Sequence, residues 1–179
     1  PMLLPPEYEQ LYFTTNRDEA LGEEKSTITG QKNNDIFYSR KDETGNWVKP
    51  ATVEGLNTEF DEGTPSFDAI GTTMYYTFSP EDAAKPTATK IYVSQRTGGA
   101  WTKGQPLEMS KDTLSAFAHP SLSPNGEFLY FVSDMPGGYG GKDIWRAAMI
   151  GNDVNYVENL GPQIHTAGDE MFPYMRTDT

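Results

Sequence analysis

The sequence predicts an all-β fold made of repeated, four-stranded antiparallel sheets, and three observations predict it. Aromatic residues reach 12% of the 179 positions, beside 17 Gly and 13 Pro, a composition suited to short strands and tight turns. Sequence anchors recur roughly every 54 residues. Turn-forming pairs fall between those anchors, and no sustained 3.6-residue apolar period signals a long helix. Four antiparallel strands per repeat, repeated at that length, describe a β-propeller blade.

The anchors are taken in chain order within one repeat. An apolar-aromatic triplet recurs as Leu11-Tyr12-Phe13, Met74-Tyr75-Tyr76 and Leu129-Tyr130-Phe131. The next strand opens on Asp35-Ile36-Phe37, Lys90-Ile91-Tyr92 and Asp143-Ile144-Trp145, with Ile-to-Ile spacings of 55 and 53. The last strand starts near Asn46-Trp47, Ala100-Trp101 and Asn155-Tyr156. The following repeat opens on Thr64-Pro65-Ser66-Phe67, His119-Pro120-Ser121-Leu122 and Phe172-Pro173-Tyr174-Met175. These anchors divide the chain into blade 1 (1–63), blade 2 (64–118), blade 3 (119–171) and the start of a fourth (172–179).

In blade 3 the strands are expected near 119–123, 128–133, 143–149 and 154–158. Asn125-Gly126 is read as the hairpin turn between the first two, because both residues tolerate positive φ. Gly45-Asn46, Gly98-Gly99 and Gly151-Asn152 join the third and fourth strands. The triplets are spaced 63 and then 55 residues apart, which places an insertion in blade 1. That insertion is the polar loop Asn16 to Asn34, long enough to suggest a partner contact or a protease-sensitive site.

A blade packs a neighbour on each face, so both faces of its strands require apolar residues. Tyr12, Ile36, Trp47, Tyr75, Ile91, Trp101, Tyr130, Ile144 and Trp145 are therefore read as the structural repeat, the large aromatics filling the gaps between blades. Asp35 and Asp143 are expected to accept backbone N–H groups from the loop before them, while Lys90 holds the same position in blade 2.

The formal net charge of -12 excludes binding to nucleic acid through phosphate neutralisation. With no cysteine, neither a disulfide framework nor a thiolate zinc site is available. No apolar run is long enough to span a membrane as a helix. Beginning at Pro1, the chain is expected to be a processed product or a fragment. Three blades fall short of the roughly four to eight that close a propeller, so a six-bladed or larger ring is expected, from further blades or from two paired copies. Open blade faces would also favour self-association.

The segment His119 to Gly126, followed by Leu129-Tyr130-Phe131-Val132-Ser133-Asp134 and Pro136-Gly137-Gly138-Tyr139-Gly140-Gly141-Lys142-Asp143-Ile144-Trp145, resembles the TolB-type, WD-like propeller repeat. That family carries a Ser-Pro-Asp-Gly turn where this chain has Asn125 in the Asp position. The Gly-rich tail is similar to blades of outer-membrane-associated, OmpA-family proteins of the Bacteroidetes, some of which resemble components of type IX secretion. The resemblance is sharpest in blade 3. It implies a periplasmic or outer-membrane-associated protein in which the propeller acts as a binding or scaffolding module.

No catalytic apparatus is expected. The Gly137–Gly141 loop leads into a strand rather than a helix N-terminus, so it does not match a phosphate cradle. The two histidines, His119 and His165, are not repeated partners, and no Gly-x-Ser-x-Gly elbow is present. His119 is read as a hydrogen-bonding residue near a strand start. No carboxylate pair stands out as a glycosidase site, no metal ligand set is picked out, and no cofactor is expected. The alternative reading is the propeller domain of a peptidase or glycoside hydrolase whose catalytic part lies elsewhere.

The candidate interaction surface is an acidic rim: Asp18, Glu19, Glu23 and Glu24 from the blade 1 loop, Glu81 and Asp82 from blade 2, Asp134 and Tyr139 from blade 3, and Glu59, Asp61, Glu62, Asp169 and Glu170 from the connections. A negative face of this kind suits a basic or cationic protein or peptide, or a glycan.

Overall fold

The computed structural model describes residues 1–21, 30–80 and 89–176. Thirteen strands form three antiparallel sheets, and no helix occurs among the described residues. The first sheet runs β1 (Met2–Leu3), β2 (Gln10–Thr15), β3 (Asp35–Arg40) and β4 (Ala51–Thr52). The second runs β5 (Asp61–Phe67), β6 (Thr73–Ser79) and β7 (Lys90–Thr97), whose outer edge pairs with both β8 (Ala100–Trp101) and β9 (Gln105–Pro106). The third runs β10 (Phe117–Leu122), β11 (Phe128–Ser133), β12 (Asp143–Ile150) and β13 (Asp153–Asn159). Sequential up-and-down order in every sheet is the blade topology expected of a propeller.

Side-chain alternation builds one core between each pair of sheets. On β6, Met74 and Tyr76 face the first sheet, where they join Leu4, Tyr12, Ile36, Phe67 and Trp101. Tyr75 faces the other way and joins Ile91, Phe117, Leu129, Phe131 and Trp145 between the second and third sheets. The period of two therefore makes a central blade apolar on both faces. Ile36 and Ile91 are buried as read, whereas Tyr130 and Ile144 are half-buried on the side of the third sheet away from the second.

Trp47 corrects the expectation of inter-blade filler. It is 45% exposed, and Lys41 Nζ lies 5.4 Å from its ring centroid. Asp42 draws the chain into a tight turn by accepting from the Thr44 and Asn46 backbone N–H groups, which swings Trp47 to the hairpin's outside. Asn125-Gly126 also differs from the expected two-residue hairpin. Only Gly126 has positive φ (73°), and the turn closes from Ser123, which accepts the Gly126 N–H at 2.8 Å.

The inner strands β5 and β10 carry the X-Pro anchor as a bulge, and the segment after β13 repeats its backbone twist. Thr64, His119 and Phe172 have φ of 48°, 52° and 57°, and the β5–β6 and β10–β11 registers shift at that point. These are left-handed values that non-glycine residues rarely adopt. The freed N–H groups are capped by the preceding blade: Thr64 donates to Thr14 Oγ1 and His119 to Thr77 Oγ1, both at 2.9 Å. Ser66 and Ser121 repeat a second link, accepting the Leu122 and Met175 N–H groups of the following inner segment at 2.9 and 3.1 Å.

Candidate functional site

Two features compete as a site: the acidic rim and the opening where the inner segments meet. Rim carboxylates are largely engaged in hydrogen bonds within and between the loops and connections. Asp61 Oδ1 accepts the backbone and side-chain N–H groups of Asn34, and Asp169 Oδ1 accepts the Lys142 N–H at 2.8 Å. Glu62 accepts from the Thr58 hydroxyl and N–H, and Glu170 from the same two groups of Thr166. Asp134 accepts the Ala116 N–H at 2.8 Å. Glu62 leaves the expected rim altogether: it is fully buried, because its carboxylate turns inward onto Thr58.

Asp18 and Glu19 are exposed, with Glu19 paired to Lys49 at 3.2 Å and the Asp18 carbonyl taking the Lys32 ammonium. Tyr139 is exposed and stacks on His165. Glu23, Glu24, Glu81 and Asp82 lie outside the described residues. Among the described residues, Asp61, Asp134, Asp169 and Glu170 each accept hydrogen bonds within or between the connections.

Behind the rim sits a repeated buckle that the sequence reading missed. Asp35 and Asp143 accept N–H groups of Leu21 and Tyr139, from the loops before them, as expected of both. Ile36 N–H then donates to Asn57 Oδ1, and Ile144 N–H to His165 Nε2. With Thr58/Glu62 and Thr166/Glu170, this is one module on the pattern Asn/His-Thr-x-x-Asp-Glu-x-x-Pro, at residues 57–65 and 165–173. In the middle sheet Lys90 holds the Asp35 place, and its ammonium reaches the Ser115 carbonyl at 3.0 Å. Ser115 in turn donates a very short hydrogen bond to Asp112.

Burial pushes the Asp35 carboxyl up to about 6 and the Glu62 carboxyl up to about 7; the charges of Asp35 and Asp61 raise Glu62 further, and that of Asp61 raises Asp35. In the second module, Asp143, His165 and Glu170 bring donor atoms within 4.8 Å of one another, and Asp143 Oδ1 lies 3.7 Å from His165 Nδ1. These residues do not fit a metal ion. His165 Nε2 accepts the Ile144 N–H at 3.1 Å, so the neutral ring carries its proton on Nδ1, the nitrogen that faces Asp143. A metal-binding imidazole needs the reverse, a ligating nitrogen free of its proton and the other one donating. His165 acts as the acceptor that Asn57 provides in the first module.

The Gly-rich loop owes its glycines to close approach. A Cβ at Gly140 would lie 2.2 Å from the Gly168 carbonyl, and one at Gly138 would lie 1.8 Å from Asp143 Oδ2. The loop lies against the Thr166–Asp169 connection, with Gly141 N–H donating to the Gly168 carbonyl.

The second feature is a cleft of about 440 Å³ at the convergence of all four inner segments. Its walls include Met2 and Phe13 of the first sheet, Pro65 of the second, His119 of the third, and Phe172 and Tyr174 beyond it. Phe172 and Tyr174 are 64% and 66% exposed. The expected hydrogen-bonding role of His119 is carried by its backbone; the ring stacks on Phe172 with centroids 3.9 Å apart, and Nδ1 has no hydrogen-bond partner among the described residues. Burial lowers the His119 pKa to about 4, so the ring is neutral. Among the described residues His119 is not hydrogen-bonded to the Thr64 or Ser121 hydroxyls that share this cleft, and the cleft's character is aromatic and prolyl.

No family model matches the chain, and no curated protein matches it. Among solved structures it is similar to TolB from Acinetobacter baumannii, at 18% identity and a TM-score of 0.47, over 86% of this chain and 30% of that one. It is also similar to a structure from a structural and mechanistic analysis of two prolyl endopeptidases, at 15% identity and a TM-score of 0.50, over 84% of this chain and 20% of that one. The chain thus spans less than a third of either, and the likeness to the second supports a β-propeller fold.

Proposed function

We propose that this chain is a non-catalytic binding module, a stretch of β-propeller that holds a protein or peptide partner at its inner-strand cleft. The observation that carries this reading is a concave cleft walled by prolines and aromatics from four successive segments. Exposed aromatics around a concave opening are the residues that anchor partners. The buried carboxylates nearby each accept hydrogen bonds that hold the fold, Asp35 and Asp143 from the loops before them and Glu62 from Thr58, which supports a structural reading of them. The likeness of blade 3 to envelope-associated propeller repeats favours a place in the bacterial envelope.

Selection of peptide ligands on the isolated chain tests the site. Ligands should lose affinity by about tenfold or more in Phe172→Ala, the loss typical of an interface anchor. Ligands indifferent to both Phe172→Ala and Tyr174→Ala would move the binding surface elsewhere. The alternative, a propeller attached to a hydrolase, is supported by the prolyl endopeptidase likeness only at the level of fold.

A further inference from the structure

The two inter-sheet junctions are built from equivalent positions but are filled differently. At each, an aromatic of the middle strand faces the next blade: Tyr12 opposite Tyr38 at the first, Tyr75 opposite Val93 at the second. Gln10 pairs with Arg40, and the equivalent Thr73 pairs with Gln95. From the following blade come Arg96 and Met149, matched by the backbone bonds that each donates, to Thr72 and to Glu127. The second junction is closed by apolar side chains, with Val93, Met149 and Val154 packed on its core. Around the first lies a cleft of about 360 Å³ lined by Gln10, Tyr38, Arg40, Glu54, Arg96 and Trp101.

The cleft is organised by hydrogen bonds. Trp101 Nε1 donates to the Tyr12 hydroxyl at 3.0 Å, and that hydroxyl donates to Gln10 Oε1 at 3.2 Å. The same oxygen takes Arg96 Nη2 at 3.5 Å, while the Arg96 guanidinium stands 5.8 Å from the Trp101 ring centroid. Neither Arg40 nor Arg96 forms an ion pair among the described residues. In a chain with 26 acidic and 14 basic residues, two guanidiniums without an ion pair among the described residues meet at one aromatic cleft, and the sister junction has neither; Arg96 also donates from Nε to the Gly99 carbonyl at 3.3 Å.

We infer that this cleft binds the free C-terminal carboxylate of a peptide. Guanidinium forks match a planar carboxylate, and the aromatic wall takes the apolar side chain of the last residue. Glu54 on the same cleft repels a multiply charged anion such as phosphate and offers an acceptor for the terminal residue's N–H. The volume is at the small end of the range for ligand pockets, enough for the end of a chain rather than a folded surface. The inference rests on the reading of this chain as a binding module, but the site is separate from the inner-strand cleft.

The test is titration of the intact chain with acetyl-Ala-Ala-Leu and with its C-terminal amide, followed by calorimetry and by the Trp101 indole N–H in NMR spectra. The acid should bind saturably, and the amide at least about tenfold more weakly, as loss of a charge-assisted bond predicts. Arg96→Met, the residue found at the sister junction, and Arg40→Gln, at an exposed strand end, should each weaken binding by a similar factor. Lys111→Ala, at an exposed position that lines neither cleft, should leave it unchanged, whereas loss of the probe's affinity in Phe172→Ala would assign the binding to the inner-strand cleft, so that failure here is distinct from failure of the inner-cleft reading. Equal binding of the amide, equal binding of acetyl-Ala-Asp-amide, no saturation by about 10 mM, or indifference to both arginine variants would each overturn the inference.

Discussion

Glu62 and His119 show how burial of a single ionisable side chain sets the pH response of the fold. Glu62 titrates at about 7 in the folded chain against 4.5 for an ordinary glutamate, because burial disfavours its charge more than the two Thr58 hydrogen bonds favour it. A raised carboxyl pKa means that the folded state holds the proton more tightly, so its contribution is full below about pH 4.5 and is lost as pH rises through 7. His119 works in the other direction. Its depressed value of about 4 gives stability that is present above pH 6.5 and is lost as pH falls towards 4. The two opposing trends overlap, so they must be separated by substitution. Glu62→Gln keeps an acceptor for Thr58 and removes the charge. Its urea midpoint should gain on the parent as pH rises from 5 to 8, by a difference on the order of 2 kcal/mol. His119→Phe keeps the stack on Phe172 and should reduce the loss of stability below pH 6. A constant offset between Glu62→Gln and the parent at every pH would show that the Glu62 carboxyl is not perturbed in the fold.

At the scale of the element, the junction between sheets depends on loops that approach backbone to backbone. Gly140 sits where a Cβ would meet the Gly168 and Thr166 carbonyls, whereas Gly98, on an exposed hairpin at φ 60°, would meet nothing within 4 Å. Gly98→Ala should therefore cost only the left-handed strain of about 1–2 kcal/mol. Gly140→Ala should cost more, since the 137–141 loop must move off the 166–169 connection, and protease cleavage within those two segments should rise with it. Equal denaturation midpoints for the two variants would refute the docking role of Gly140. Local pattern made the strands, the X-Pro anchors and the carboxylates of Asp35 and Asp143 legible in the sequence. The Asn/His-Thr-x-x-Asp-Glu-x-x-Pro buckle was also present, yet Lys90, Asp112 and Ser115 replace it in the middle repeat and hide a period of two blades. Trp47 was misread because a turn built on Asp42 decides which side of the hairpin it occupies. The arginine cleft was not legible, for Gln10 and Arg96 meet across 86 residues of sequence and occur at only one junction.

At the scale of the whole molecule, the three sheets leave the far faces of the first and third without a neighbouring sheet among the described residues. Neither face is bare. On the first, the Arg17 guanidinium lies 5.4 and 5.1 Å from the Phe13 and Phe37 ring centroids. On the third, Arg146 lies 4.7 Å from the Phe128 centroid and pairs with Glu158 at 2.5 Å. Both arginines spread a charged, hydrated group over aromatic surface that a further blade would otherwise cover. This tempers the strong self-association that open propeller faces would give. The isolated chain should associate weakly, its light-scattering mass rising with concentration above the 19.9 kDa of one copy. Arg146→Ala uncovers Phe128 and leaves Glu158 unpaired, and it should shift that rise to lower concentration, while Lys49→Ala, whose pair with Glu19 is fully on the surface, should not. Identical masses for Arg146→Ala and the parent across the concentration series would mean that the third sheet's far face takes no part in association. The same face would then have to be protected by something other than the arginine laid across it.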